Sequence, residues 1–128
     1  MPFDKQFSIF VQNKVGSLGD LCRSLARENV NIKAISIIDD LEWGIVRVVV
    51  DDPDKIKTIL QDLGLMYGES QVLTLELENS PGALAEVADK LARKKLNIEQ
   101  AFATATGEGA FLVLTTTDDK KANSVLSG

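Results

Sequence analysis

Two short stretches, Asn13 to Leu18 (N-K-V-G-S-L) and Asn79 to Leu84 (N-S-P-G-A-L), hold the residue types best suited to chemistry in this chain, and that chemistry is the capture of an anion. Each places a glycine, Gly16 or Gly82, just before an amphipathic run, where a residue without a Cβ lets the backbone approach whatever sits there. A helix that opens at such a point presents unpaired N–H groups and the positive end of its dipole, which suits a carboxylate. In the second stretch Asn79 or Ser80 is placed to cap the helix, and Pro81 suits its first position, where a missing N–H costs nothing. The plainer reading is that Asn and Gly only shape a tight turn.

Bond-breaking chemistry finds little support. There is no histidine, which excludes histidine bases, histidine metal ligands and the nucleophilic triads built on them. Cys22 is the single cysteine, so no disulfide or thiolate cluster forms within one chain, and its place beside Leu18, Leu25 and Ala26 reads as a buried structural thiol. The acidic groups Asp39, Asp40 and Glu42, then Asp51, Asp52 and Asp54, then Asp118 and Asp119 fall at turns or helix starts, where they read as solvated caps. Gly107 and Gly109 lie in T-G-E-G-A, which lacks the helix and lysine of a nucleotide loop. No metal and no cofactor is expected.

The net charge of −5 and a pI near 4.7, with basic residues scattered rather than striped, argue against nucleic acid. No apolar run approaches membrane-spanning length, and the opening M-P-F-D-K-Q-F-S-I-F lacks a signal-peptide core. A cytoplasmic protein without a membrane partner is the expectation.

The elements that position the two stretches are themselves repeated. Asn13 to Ile32 lies over Asn79 to Ile98 without a gap, matching Gly16 to Gly82, Leu25 to Leu91, Arg27 to Arg93 and Asn31 to Asn97 at a constant offset of 66. Phe7, Ile9 and Val11 alternate as a strand, and Leu73, Leu75 and Leu77 repeat it. The first helix carries Leu18, Leu21, Cys22, Leu25 and Ala26 on one face; its copy carries Leu84, Val87, Ala88, Leu91 and Ala92. A strand over 34–38, a turn over 39–44 holding Trp43, and a strand over 44–50 follow. Trp43 covers either a pocket or a partner surface, or simply packs at a hairpin tip. A helix then opens at Asp51 to Pro53 with Ile56, Ile59, Leu60 and Leu63 inward and Gly64 closing it, and a short strand occupies 65–71. The second half runs in the same order, through a helix with Ala122, Val125 and Leu126 inward, and lacks the final strand.

This pattern predicts an α+β fold of two tandem ferredoxin-like βαββαβ units, residues 1–70 and 71–128, with antiparallel sheets covered by helices on one face. The second unit is missing its last strand, and the edge so exposed needs a covering partner chain or repeat.

The N-x-P-G-x-L turn into a helix that ends in L-N-I before a second strand resembles the ACT domain, and the chain as a whole resembles stand-alone tandem ACT proteins. Val15 stands where the family has Pro, whereas the second copy keeps Pro81. The resemblance implies a non-catalytic regulatory protein that binds a free amino acid in a pocket shared with an adjacent unit. Carried over by position, the ligand-binding residues are Asn13, Val15, Gly16, Ser17 and Leu18, with Asn79, Pro81, Gly82, Ala83 and Leu84 in the second copy, and Asn31, Ile32, Asn97 and Ile98 completing the walls. The ligand's carboxylate would take the helix-start N–H groups and its ammonium an Asn oxygen or strand carbonyl. For Asn31 and Asn97 a helix-ending role stands as the alternative. Implied partners are a homo-oligomer, a dimer in the simplest case, and an enzyme or regulator of amino-acid metabolism. The rival reading is a structural regulatory subunit that docks on such an enzyme or regulator without a ligand of its own.

Overall fold

The computed structural model describes residues 3–12, 14–40 and 43–127. In chain order the elements are β1 (Phe3–Gln12), α1 (Ser17–Arg27), β2 (Ile32–Asp40), β3 (Trp43–Val50), α2 (Pro53–Asp62), β4 (Tyr67–Glu78), α3 (Ala83–Arg93), β5 (Ile98–Thr106), β6 (Gly109–Thr116) and α4 (Asp119–Ser127). They form two compact units, one spanning Lys5–Ser70 and the other running from Gln71 onward together with Phe3 and Asp4. The fold is α+β with antiparallel pairing, and each unit has ferredoxin-like order.

In the first unit β3 lies between β2 and β1, with Phe7 opposite Val48 and Ile9 opposite Val46. Period-two alternation sends Phe7, Ile9, Val46 and Val48 to one face, and all four are essentially inaccessible. Leu21 and Leu25 of α1 and Ile56, Ile59 and Leu60 of α2 close over them. Each such side chain contributes about 1.5–3 kcal/mol by leaving water. The inward stripe of α1 is narrower than predicted: Cys22 is only half-buried and Ala26 is exposed, because residues one step beyond Leu21 and Leu25 turn about 100° away from the sheet. In α3, Val87 and Leu91 are buried while Ala92 is exposed and Leu84 is half out.

Helix ends repeat at the offset of 66 down to single hydrogen bonds. Asn29 and Lys95 both take φ near +60° just past the helix, with Val30 N–H donating to Leu25 O at 2.9 Å and Leu96 N–H to Leu91 O at 3.0 Å. These are Schellman endings, so the residues that terminate the helices are Asn29 and Lys95, not Asn31 and Asn97. Lys55 Nζ donates to Glu28 O at 2.9 Å and its counterpart Lys121 Nζ to Lys94 O at 3.4 Å, satisfying carbonyls beyond the same helix ends. Asp52 and Asp118 cap α2 and α4 through the backbone N–H of Lys55 and Lys121, each at 3.1 Å.

The largest departure from the predicted elements is β4. The short strand expected over 65–71 and the one expected around Leu73 to Leu77 are a single strand, Tyr67–Glu78, that divides between the units near Ser70. Its opening residues, and Met66 just before them, run beside β1: Phe10 N–H donates to Met66 O at 3.0 Å, the rings of Phe7 and Tyr67 stand 6.1 Å apart, and Lys5 meets Glu69 at 2.6 Å. Glu69 also receives Lys57 at 3.2 Å. β2 likewise extends beyond its predicted range, to Ile32 and Asp40, and Trp43 opens β3 rather than sitting in a turn.

Hydrogen bonding from Lys5 holds the Glu69 carboxyl below the usual carboxylate range, and the same bond lifts Lys5 above the usual lysine range. A lowered acid stabilises the fold above its unfolded pKa and loses that contribution as pH falls through the folded value. A raised lysine loses its contribution only as pH climbs through its own folded value. Glu69→Gln is therefore expected to lower stability slightly at neutral pH, the deficit closing below about pH 4 and shrinking in 1 M salt. Urea denaturation of both proteins at pH 7 and pH 3 measures it.

In the second unit β6 lies between β4 and β5, with Leu73 opposite Leu114 and Leu75 opposite Leu112. Leu73, Val87, Leu91, Leu96, Leu112, Leu114 and Ala122 form its core, with Val125 and Leu126 packed at the margin. The last element of this unit among the described residues is α4. Phe3 and Asp4, from the start of β1, belong to this unit: Phe3 packs against its core, and Thr74 Oγ1, itself buried, donates to Asp4 Oδ2 at 2.8 Å.

Candidate functional site

The two glycine turns are built alike. Ser17 N–H donates to Lys14 O and Ala83 N–H to Ser80 O, both at 3.3 Å, while Gly16 sits at φ 92°, ψ −13° and Gly82 at φ 87°, ψ −9°. Those angles are the third position of a type II turn, which demands positive φ, and Pro81 occupies the second position, where its fixed φ is pre-set. Each helix consequently starts after the glycine, at Ser17 or Ala83, and has no side-chain cap. The expectation that Asn79 or Ser80 caps the helix with Pro81 as its first residue is thus corrected by two residues. Asn79 instead ties down the neighbouring hairpin, its backbone N–H donating to Glu108 O at 2.6 Å and its Nδ2 to Gly107 O at 2.9 Å. Asn13 lies outside the described residues.

A cleft of about 440 Å³ opens beside the first turn. Its walls come from the end of β1 (Phe10, Val11, Gln12), the turn and start of α1 (Lys14, Ser17, Asp20, Leu21, Ser24), Trp43 at the start of β3, and the α2–β4 connection (Leu63, Gly64, Leu65, Met66). Topology explains the gathering: in strand, helix, strand, strand, helix, strand order, the end of β1, the start of α1, the start of β3 and the end of α2 all arrive at one end of the unit. Gly64, at φ 68°, closes α2 and turns the chain so that Leu63 and Met66 reach the rim. The volume falls within the range of small-molecule sites, and the lining is mainly apolar with a few polar groups, as such sites are. Lys14 makes no ion pair among the described residues; Asp20 pairs with Arg23, and Ser24 Oγ donates to Asp20 O at 3.1 Å.

Of the residues singled out from sequence in the first copy, Ser17 lines this cleft. Gly16 shapes the turn, Leu18 packs toward the core, and Val15 points wholly into solvent. Asn31 and Ile32 stand at the opposite end of the unit. Ile32 pairs with Val50 whereas Asp40 and Gln12 both pair with Trp43, which puts about 24 Å of strand between them. There Asn31 N–H donates to Asp51 Oδ1 at 2.9 Å, and Asn97 N–H donates to Thr117 Oγ1 at 3.2 Å in the second unit. Ile32 and Ile98 pack toward their own cores.

In the second unit a hollow of about 670 Å³ adjoins the turn, lined by Glu76, Leu77, Glu78, Asn79, Ser80, Gly107, Glu108 and Gly109. Pro81, Gly82, Ala83 and Leu84 are not part of its wall. Sequence reasoning had named Trp43 and missed Lys14, Asp20 and the apolar connection Leu63 to Met66. The available signal was Leu65 and Met66 themselves, two large apolar residues placed just past a helix-ending glycine.

No group of histidine, cysteine or carboxylate side chains among the described residues is arranged to hold a metal, and none of the described helices is long and apolar enough to cross a membrane. Among curated proteins, none matches the chain. A crystal structure of a protein from Bacteroides thetaiotaomicron is similar at 34% identity and TM-score 0.92, covering 98% of this chain and 87% of that one. The regulatory subunit of aspartate kinase from Thermus thermophilus, in its ligand-free form, superposes with TM-score 0.71 at 11% identity over 98% of this chain and 90% of its own. That from Thermus flavus gives 0.63 at 13% identity, over 98% and 88%. At such identities the two likenesses carry the fold alone. The family model described as an ACT domain pair matches residues 3–127, and the chain belongs to that family.

Proposed function

We propose that this protein is a non-catalytic cytoplasmic regulator that senses a free amino acid and passes the signal to its own assembly or to a partner protein. The observation that carries the reading is the cleft of the first unit, where an apolar chamber opens beside a helix start with no side-chain cap and a lysine rims it. A carboxylate is matched by Lys14, the Ser17 hydroxyl and the N–H groups that follow Ser17 in the first turn of α1, and an ammonium by the Asp20 carboxylate or a serine hydroxyl. Thermal unfolding against the twenty amino acids at millimolar concentration tests it. A ligand at 100 times its Kd, binding the native state alone, adds about 2.7 kcal/mol and raises the melting temperature by several degrees. Twenty flat responses would leave the ligand-free docking role as the surviving account.

Assembly has its own support in β2. It is the outer strand of its unit, no strand among the described residues pairs with its outer edge, and Ile35, Ile37 and Ile38 along it are each more than a third exposed. An apolar unpaired edge recruits another strand, and a second copy of β2 laid antiparallel gives a self-complementary two-fold contact. Ile37→Lys is expected to convert a dimer to a monomer in sedimentation equilibrium at micromolar concentration, with an unchanged circular dichroism spectrum.

A further inference from the structure

The two repeats are not equivalent as binding sites, and the difference identifies the kind of side chain the ligand carries. At the offset of 66, Trp43 becomes Gly109, Phe10 becomes Glu76, Gln12 becomes Glu78, Lys14 becomes Ser80 and Ser17 becomes Ala83. The first cleft thus loses its aromatic wall and its rim cation in the second copy, keeps a hydroxyl only at Ser80, and gains carboxylates. The larger hollow of the second unit is lined by Glu76, Glu78 and Glu108 with no aromatic residue, so it repels the carboxylate that the first cleft attracts. Meanwhile three large apolar side chains that a folded chain ordinarily hides, Trp43 at 49%, Leu63 at 47% and Met66 at 74% exposure, converge on the first cleft. Indole and thioether groups in one wall favour flat or branched apolar ligand groups, through ring contacts and the adaptable packing of methionine.

Resting on the amino-acid reading above, we infer that each chain binds one ligand, in the first unit only, and that it is an amino acid with a large apolar side chain seated against Trp43, Leu63 and Met66. Discrimination follows from the same wall: a charged or hydroxylated side chain laid against Trp43, Leu63 and Met66 gives up water for no polar contact there, the polar lining residues Lys14, Ser17 and Asp20 being those matched to the ligand's carboxylate and ammonium.

Trp43 is the only tryptophan, so its emission reports the site directly. The test titrates the full chain with L-leucine, L-phenylalanine, L-serine and L-aspartate, following tryptophan fluorescence and calorimetric stoichiometry, and repeats it on Met66→Asp and Glu78→Gln. Expected are one site per chain, a shift in emission, at least tenfold weaker binding of serine and aspartate, a tenfold or greater loss in Met66→Asp, and no change in Glu78→Gln. Met66 is mostly exposed, so that variant folds, which far-ultraviolet circular dichroism verifies. Two sites per chain, preference for serine or aspartate, or unchanged affinity in Met66→Asp overturns the inference while leaving amino-acid sensing intact. If all twenty amino acids fail to bind, both readings fall.

Discussion

Phe7→Ala is expected to destabilise the protein by about 3–5 kcal/mol, lowering the melting temperature on the order of 10 °C. The ring is fully buried between the two helices and the sheet of the first unit, and its loss removes both the transfer energy and the tilted contact with Tyr67 at 6.1 Å. The site is framed by β-branched and leucine neighbours on a hydrogen-bonded strand, which limits how far it can collapse onto the space left behind. Urea denaturation measures the change; a cost below 1 kcal/mol would show that the core relaxes far more than its packing allows.

Asp119→Ala should cost about 2–3 kcal/mol for a different reason. One carboxylate oxygen, Oδ1, accepts both the backbone N–H of Thr116 at 2.6 Å and its hydroxyl at 2.9 Å, and Thr116 is only 6% exposed. Truncation leaves a buried donor without its partner, which is more expensive than the bond itself is favourable. The first unit solves the same strand-to-helix junction with Val50 and Pro53 at the matching positions, so the polar pair belongs to the second copy alone. Because both residues act through one network, Thr116→Val is expected to cost less in the Asp119→Ala background than in the natural sequence. Additive costs in a double-mutant cycle would contradict the shared-acceptor account.

How far residue types alone lead can be judged at particular positions. The repeat, its helices and its core faces were legible because they rest on periodicity: Phe7 and Ile9, or Leu21 and Leu25, are buried as their spacing demands. The continuity of β4 was not, since Gly68, Glu69, Ser70 and Gln71 are all exposed and polar and read as a junction by composition, while backbone pairing makes them strand. Helix starts were misplaced for a related reason. Pro81 is equally at home in the first helical turn and in a type II turn, and what decides is the positive φ of Gly82, a torsion that composition does not reveal.

A pocket beside the first turn is expected from sequence, with Ser17 in its wall, but most of the cleft's lining is not legible because no contiguous stretch encodes it. Lys14, Trp43 and Met66 are brought together only by the end of the unit at which four separate elements finish, so the site is a property of topology more than of motif. Conversely Asn31 and Asn97, prominent in the motif, serve backbone bonds to Asp51 and Thr117.

Phe3 and Asp4 are separated by the whole of the first unit from the core and from the Thr74 hydroxyl that they serve. A fragment beginning at Gln71 would therefore lack the packing of Phe3 and leave the buried Thr74 hydroxyl without its Asp4 acceptor. Changes at Phe3 or Asp4, however remote they look on paper, are felt in the unit that holds Thr74.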